Sequence, residues 1–395
     1  MKRTLKFWND NTRLIIGWLV AIGLLAWLLV HHLGSLVGGM SGSEIAAVTT
    51  PVGLHGIWAQ PLYLPLEAVR SVVFFAFQDH GQLLSRLPNA LFGALTIISF
   101  GWLILLWHNR RTAILTTALF ATSAWTLHIS RLASFDVLYL WAVTTLLLIQ
   151  ALLHKKAKKP FVWYGSLLTW GLLIYIPGMI WLVLAQIFLQ RKYIYQNWKH
   201  FSKWWQRLAS LLAATIWLPL LVIGLTRVGN LRLWLGLPAQ FPGLTTLAKQ
   251  FVAVPVHLFI RGPQYPELWL GRAPVLDVFT LVACLVGIYF YATKWKSMRS
   301  RSLGVMFAIS LILVGLGGAV GLSIVVPLLY VGVATGIAYL LHDWLKVFPN
   351  NPLARGLGIA IIAVAVSLSC VYNLRAYFIA WPHNSITKAT FRYHR

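Results

Sequence analysis

Long apolar runs, broken by short polar and basic clusters, organise this chain from end to end. A run near the roughly 20 residues that a bilayer core requires predicts a membrane-spanning helix. Placing boundaries by these runs gives about eleven spans, near 13–33, 87–107, 112–129, 136–153, 160–175, 177–190, 208–227, 275–293, 302–318, 320–341 and 355–372. The fold class expected is an all-α polytopic membrane protein. Met1 to Arg13 is basic and precedes an apolar run that ends at His31-His32 without a small-residue cleavage pattern, which predicts a retained signal anchor.

Two segments between spans are long. In 34–86, the stretch Leu64 to Phe77 is too short and too charged to cross and predicts an interfacial helix. In 228–274, prolines at 238, 242, 255, 263, 266 and 274 predict an irregular loop with short interfacial helices. No internal repeat and no appended soluble domain is visible, so residues 1–395 are expected to form one transmembrane domain.

Charge fixes the orientation of these spans. The chain of 395 residues carries 33 Lys and Arg against 8 acids, a formal net charge of +25. In a soluble protein that excess would suggest nucleic acid, but here the cations cluster in short connections, as topology determinants do. With a cytoplasmic N-terminus, the inner side receives 21 of them: Lys2, Arg3, Lys6 and Arg13, Arg110 and Arg111, four lysines between 155 and 159, five cations between Arg191 and Arg207, four between Lys294 and Arg301, and Lys346 with Arg355. Glu44, Glu67, Asp79, Asp136, Glu267 and Asp277 fall on the outer side; only Asp10 and Asp343 are cytoplasmic. The expectation is an odd number of spans in the plasma (inner) membrane, a tail from Asn373 outside, and no nucleic-acid partner. Cys284 and Cys370 sit within apolar runs, where neither a disulfide framework nor a metal-thiolate site is expected.

With so few acids, each outer carboxylate is a candidate for chemistry. Ser41-Gly42-Ser43-Glu44 fits a capping box, in which the carboxylate folds back on the N-cap amide; a general base at the membrane surface is the alternative. Asp136 follows Arg131 by five residues, as an ion pair ordering a turn or as a second site carboxylate beside a cation that screens a negative substrate. His257, Arg261 and Arg272, with Tyr265 and Trp269, could snorkel to lipid headgroups or together hold a lipid phosphate. The basic, Trp-rich segment Arg191 to Arg207 predicts an interfacial anchor, and Tyr175-Ile176-Pro177-Gly178 a tight helical hairpin.

Over roughly residues 40–190 the chain resembles the GT-C superfamily of polyprenyl-phosphate-sugar glycosyltransferases, of the family 39 type that includes protein O-mannosyltransferases and lipid A aminoarabinose transferases. Four segments carry the resemblance: Ser43-Glu44-Ile45-Ala46 after the first span; Gln60-Pro61-Leu62-Tyr63, where the family commonly has a His-Pro-Pro-Leu-Tyr-like stretch; Ser85-Arg86-Leu87-Pro88-Asn89-Ala90-Leu91-Phe92-Gly93 at the start of the second span; and Ser130-Arg131 followed by Asp136. One departure stands out. The family usually has an Asp-Glu pair after the first span, with the Asp as catalytic carboxylate; here that position is Ser43 and only Glu44 remains.

The resemblance implies a transferase moving a sugar from a polyprenyl phosphate to a hydroxyl on lipid, glycan or protein at the outer face, inverting the anomeric centre in one displacement. It implies catalytic roles for Glu44 and Asp136, and substrate contacts for Arg131, His257, Arg261, Arg272, Gln60 and Tyr63. No metal ligands are assigned, because a monophosphate leaving group does not strictly require a metal; a divalent cation is the one cofactor left open. The rival expectation is a non-enzymatic carrier or flippase for the polyprenyl-phosphate sugar, which would need the cations but no poised carboxylate.

Overall fold

The computed structural model describes residues 16–48 other than 18, 61–78, 81–156, 159–201, 203–226 and 228–391. Among these residues the secondary structure is helical, without a strand. The first apolar run forms α1 (Leu19–Val30). There follow α2 (Gly42–Val48), α3 (Leu64–Phe77), α4 (Gln82–Trp107), α5 (Arg110–Thr122), α6 (Ala124–Arg131), α7 (Val137–Lys156), α8 (Pro160–Leu173), α9 (Met179–Leu189), α10 (Arg191–His200), α11 (Trp204–Ala214) and α12 (Leu218–Thr226). The second half contains α13 (Val228–Trp234), α14 (Leu244–Phe259), α15 (Val278–Thr293), α16 (Met298–Gly315), α17 (Val326–Val347) and α18 (Pro352–Arg375), which continues through a closing π-helical turn, Ala376–Ala380, to Trp381–His383, and then α19 (Ser385–Thr390).

Among the described residues five helices are long and apolar enough to cross a membrane, and six if the bent pair α5–α6 counts as one. The remaining expected spans are built from pieces, such as α8 with 14 residues and α9 with 11. The count of eleven therefore stays an expectation. The core lies along α7 and α17, both buried over most of their length, while α4 and α18 turn apolar faces outward. That inverted arrangement, with Leu, Ile, Val and Trp exposed on the outer helices, suits a lipid surround.

Three departures from regular helix shape the site. The α5–α6 pair bends by 58° at Ser123. Asn373 supplies the missing acceptor there, its Oδ1 receiving the Ala124 N–H at 3.1 Å. The amphipathic α3 begins at Tyr63 in the left-handed region (φ 63°) with a proline in its first turn. At 14 residues it spans about 21 Å, too short to cross alone, and it buries Leu66, Arg70, Val73 and Phe74 while Phe75 stays 85% exposed. The second long segment is more regular than its prolines suggest: α14 runs for 16 residues with Pro255 inside it.

Contacts divide the molecule into two ends. At one end lie α2, α3, Ser130 to Asp136, the 260–276 loop and the closing turn from Ala376. At the other lie the α4–α5 turn, Lys155 and the α15–α16 turn, joined by Arg299 over the Trp107 ring.

Candidate functional site

Glu44 sits in the first turn of α2, and both halves of the capping box form. The Glu44 N–H donates to Ser41 Oγ at 3.2 Å, and the Ser41 N–H donates to Glu44 Oε2 at 3.1 Å. The same carboxylate is gripped by Arg86, whose Nε donates to Oε1 at 2.8 Å and Nη2 to Oε2 at 2.7 Å. The Ala133 N–H adds a fourth bond, to Oε1 at 2.8 Å. Four donors on two oxygens fill the acceptor capacity of a carboxylate, and both partners are buried, Glu44 at 1% and Arg86 at 2% exposure. Arg86 further donates to the carbonyls of Leu33 and Gly39, so this ion pair ties α1, α2, α4 and the α6–α7 connection together. The geometry makes Glu44 a fastening carboxylate with no oxygen turned to a ligand.

Asp136 is placed differently. It precedes α7, keeps part of its surface open, and has the Ser323 hydroxyl close by. Desolvation by burial raises its pKa above the ordinary carboxylate value, and the Ser323 hydroxyl opposes that rise. Gly321 closes one side: a Cβ there would lie 2.7 Å from Asp136 Oδ1. Tyr63 and Tyr139 lie on another side, the Tyr139 hydroxyl donating to the Ala319 carbonyl at 3.2 Å. Burial, opposed by the neighbouring Tyr139 hydroxyl and aided by the Asp136 charge, pushes the Tyr63 phenol up to about 12. Tyr63 also stacks on Phe135 at 4.1 Å with its plane 14° away, and its N–H donates to the Tyr175 carbonyl. The Tyr175 to Gly178 break, expected to be a tight hairpin, thus anchors Tyr63 through its backbone.

Arg70 also lies against Phe135, its guanidinium carbon 5.5 Å from the ring centre. Its Nη1 donates to Glu67 Oε1 and to the Ala47 carbonyl, both at 2.7 Å. Its Nε and Nη2 are buried and make no hydrogen bond. Unpartnered buried donors on a cation are costly and call for an acceptor. Among the described residues, the two ion pairs are Arg70–Glu67 and Arg86–Glu44.

The remaining candidates are dispersed. Arg131 does not pair with Asp136; its Nη1 and Nη2 donate to the carbonyls of Leu28 and His31 at the end of α1, and the guanidinium packs on Tyr377 and Phe378. The last carbonyls of a helix lack intrahelical donors, and Arg131 supplies one to Leu28 within α1 and another to His31 just beyond it. Arg261 lies beside the Gln264 side chain, whose amide oxygen accepts from the guanidinium when that amide is turned over, and His257 Nδ1 lies 3.1 Å from the Arg261 carbonyl oxygen. Arg272 is exposed in the left-handed region (φ 68°), 5.9 Å from the Trp269 ring. Their loop does reach the site end: the Ser43 N–H donates to Glu267 Oε1 at 3.0 Å, and His128 Nε2 meets the Glu267 carbonyl oxygen at 2.8 Å. Among the described residues no hydrogen bond or ion pair joins Arg261 or Arg272 to Glu44 or Asp136. Gln60 lies outside the described residues.

No protein-family model matches the sequence, and no curated protein matches it. Solved structures do. ArnT from Cupriavidus metallidurans bound to undecaprenyl phosphate aligns with a TM-score of 0.56 at 10% identity, over 92% of this chain and 75% of that one. Its apo state gives 0.55 at 11% identity over the same shares. The apo oligosaccharyltransferase from Archaeoglobus fulgidus gives 0.56 at 14% identity, over 96% of this chain and 56% of that one. The chain has a GT-C fold.

Within the GT-C fold, the segments that carried the resemblance meet in space. Glu44 pairs with Arg86, Ala133 joins the same carboxylate, and Gly93 on α4 packs so tightly against Ser130 on α6 that a Cβ would lie 2.5 Å from the Ser130 Cβ. Sequence reasoning missed Arg70, Tyr139 and Ser323. The signal for Arg70 was present as a lone cation on the buried face of an amphipathic helix; Tyr139 and Ser323 lie among apolar residues where nothing local marks them. Among the described residues, no group of three or more His, Cys, Asp or Glu side chains converges as metal ligands would.

Proposed function

We propose that this chain is a membrane glycosyltransferase that moves a sugar from a polyprenyl-phosphate donor to a hydroxyl acceptor on lipid, glycan or protein, with the Asp136 end of the bundle facing outside. The observation that carries this reading is the setting of Asp136 on a GT-C fold: a partly exposed carboxylate of raised pKa beside Tyr63 and Tyr139, with a buried arginine holding unused donors against the neighbouring Phe135 ring. Asp136 takes the proton of the acceptor hydroxyl as the acceptor oxygen attacks the anomeric carbon, the bond from that carbon to the phosphate oxygen breaks, and the configuration inverts. A raised pKa brings a carboxylate closer to the strength a general base needs. Arg70 offers Nε and Nη2 to the departing phosphate, where charge develops. Glu44 and Arg86 hold the frame, and Arg261, Arg272 and His257 meet the donor from the second loop. The relative bound to undecaprenyl phosphate supports a polyprenyl carrier, and the same Archaeoglobus enzyme tethered with an acceptor peptide supports a large acceptor.

The test uses purified protein and a labelled polyprenyl-phosphate sugar. Asp136→Asn is expected to keep donor binding and lose transfer by on the order of 10²–10⁴-fold. Arg70→Gln is expected to weaken donor binding. Donor binding without transfer in the parent protein, unaltered by Asp136→Asn, would instead indicate a lipid carrier.

A further inference from the structure

At the opposite end of the bundle a cavity of about 390 Å³ opens between α4, α7 and the α15–α16 turn. Lys155, Lys294 and Arg299 line it, together with Trp107, Tyr291 and Ser297, and no carboxylate does. Three cations sharing one hollow repel each other, and the neighbouring contacts leave that repulsion uncompensated. Arg299 lies over the Trp107 ring at 4.6 Å and makes only a long 3.5 Å bond to the Trp107 carbonyl. Lys155 donates to the Leu106 carbonyl, and Lys294 sits 4.5 Å from the Phe290 ring. None of these partners carries a negative charge.

A second feature points the same way. Ser297 to Ser300, the N-terminal turn of the 18-residue α16, forms part of the cavity wall. The amides of a first turn have no acceptor within the helix and carry the positive end of its dipole. Ser297 Oγ satisfies the Ser300 N–H at 3.1 Å and leaves those before it for a ligand. Cations, first-turn amides and aromatic walls in a hollow between apolar helices are what a phosphate headgroup with attached acyl chains would need.

We propose that this cavity binds the phosphate headgroup of an anionic phospholipid from the inner leaflet, distinct from the donor site. The leaflet rests on the orientation proposed above; the binding itself does not. Of the cations at this end, Lys155, Lys294 and Arg299 share one hollow with a helix N-terminus, while Arg110 and Arg111 lie outside its lining.

The experiment is lipid binding by native mass spectrometry of the full chain in maltoside micelles, with short-chain phosphatidylglycerol, the matching phosphatidylcholine, and inorganic phosphate alone. Phosphatidylglycerol is expected to bind and phosphatidylcholine not. Lys155→Gln with Lys294→Gln should weaken phosphatidylglycerol by about fivefold per charge removed, and Arg299→Gln should weaken it further. Arg110→Gln with Arg111→Gln, at the same end but outside the cavity lining, should leave it unchanged. The proposal fails if the Arg110/Arg111 pair costs as much as the Lys155/Lys294 pair, if the lysine pair costs nothing, or if inorganic phosphate binds and phosphatidylglycerol does not. Because the readout is binding, a failed transferase assay would leave it standing.

Discussion

Two carboxylates of the same end have opposite surroundings, and substitution should separate their work. Replacing Glu44 by Gln leaves Arg86 buried without its counter-charge, a change that typically costs about 3–5 kcal/mol. Thermal unfolding in detergent should therefore show a clear loss of stability for Glu44→Gln, partly recovered when Arg86→Met is added, since a buried pair replaced as a whole is nearly neutral. If Glu44→Gln unfolds like the parent but loses transfer, Glu44 is a reacting group. Asp136→Asn should not destabilise. Its pKa is raised in the folded state by desolvation, so the charged form is disfavoured there. The contribution of this group to folding is fully present below its unfolded pKa and is lost as pH rises through the folded value; the Asn variant should lack that dependence. Transfer, which needs the ionised form, should fall as pH drops toward that raised value. A rate that does not fall at any pH below neutral at which the protein stays folded would exclude Asp136 as the base.

Helices deliver these residues through their irregularities. The 58° break at Ser123 turns α6 so that His128 and Arg131 reach the site end, and the break is held by Asn373, which also donates to Asp277 Oδ2 at 2.7 Å. Asn373→Ala should remove both links and cost about 1–3 kcal/mol, read as an earlier thermal transition. Gly321 offers a finer probe: Gly321→Ala would press on Asp136 Oδ1 without touching Glu44, so activity should drop while the unfolding midpoint barely moves. Sequence pattern located most of these elements, because apolar runs of bilayer length leave few alternatives. It located their breaks poorly. Ser123 carries no proline or glycine signal, and the density of proline in the second loop concealed the 16-residue α14. The pairing of Glu44 with Arg86 across 42 residues was likewise out of reach, since a capping box satisfies local sequence completely. The resemblance placed Glu44, Arg86 and Ser130 in motifs, but only the packing reveals that those motifs fasten to one another.

For the molecule as a whole, orientation is the property most open to direct test. The basic turns at Arg110, Lys155 and Lys294 gather at one end, and Glu44, Asp136 and the closing turn from Ala376 at the other, as charge sorting requires. Reporter domains fused after Arg111 and after Arg395 should report opposite sides of the membrane; a matching report would overturn the outward-facing site.

The bond between Asn373 and Ala124 joins residues 249 positions apart. At the ~5–20 residues per second of synthesis, the break at Ser123 waits about 10–50 s for the side chain that satisfies it. Throughout that interval α6 must be kept at the bilayer with an orphaned amide and a buried arginine whose aromatic cover, Tyr377 and Phe378, has not been made. The site end is thus finished by late-emerging chain, and its assembly is a biogenesis problem. Nascent chains stalled before residue 373 should remain protease-sensitive around α6, and those released beyond residue 391 should not.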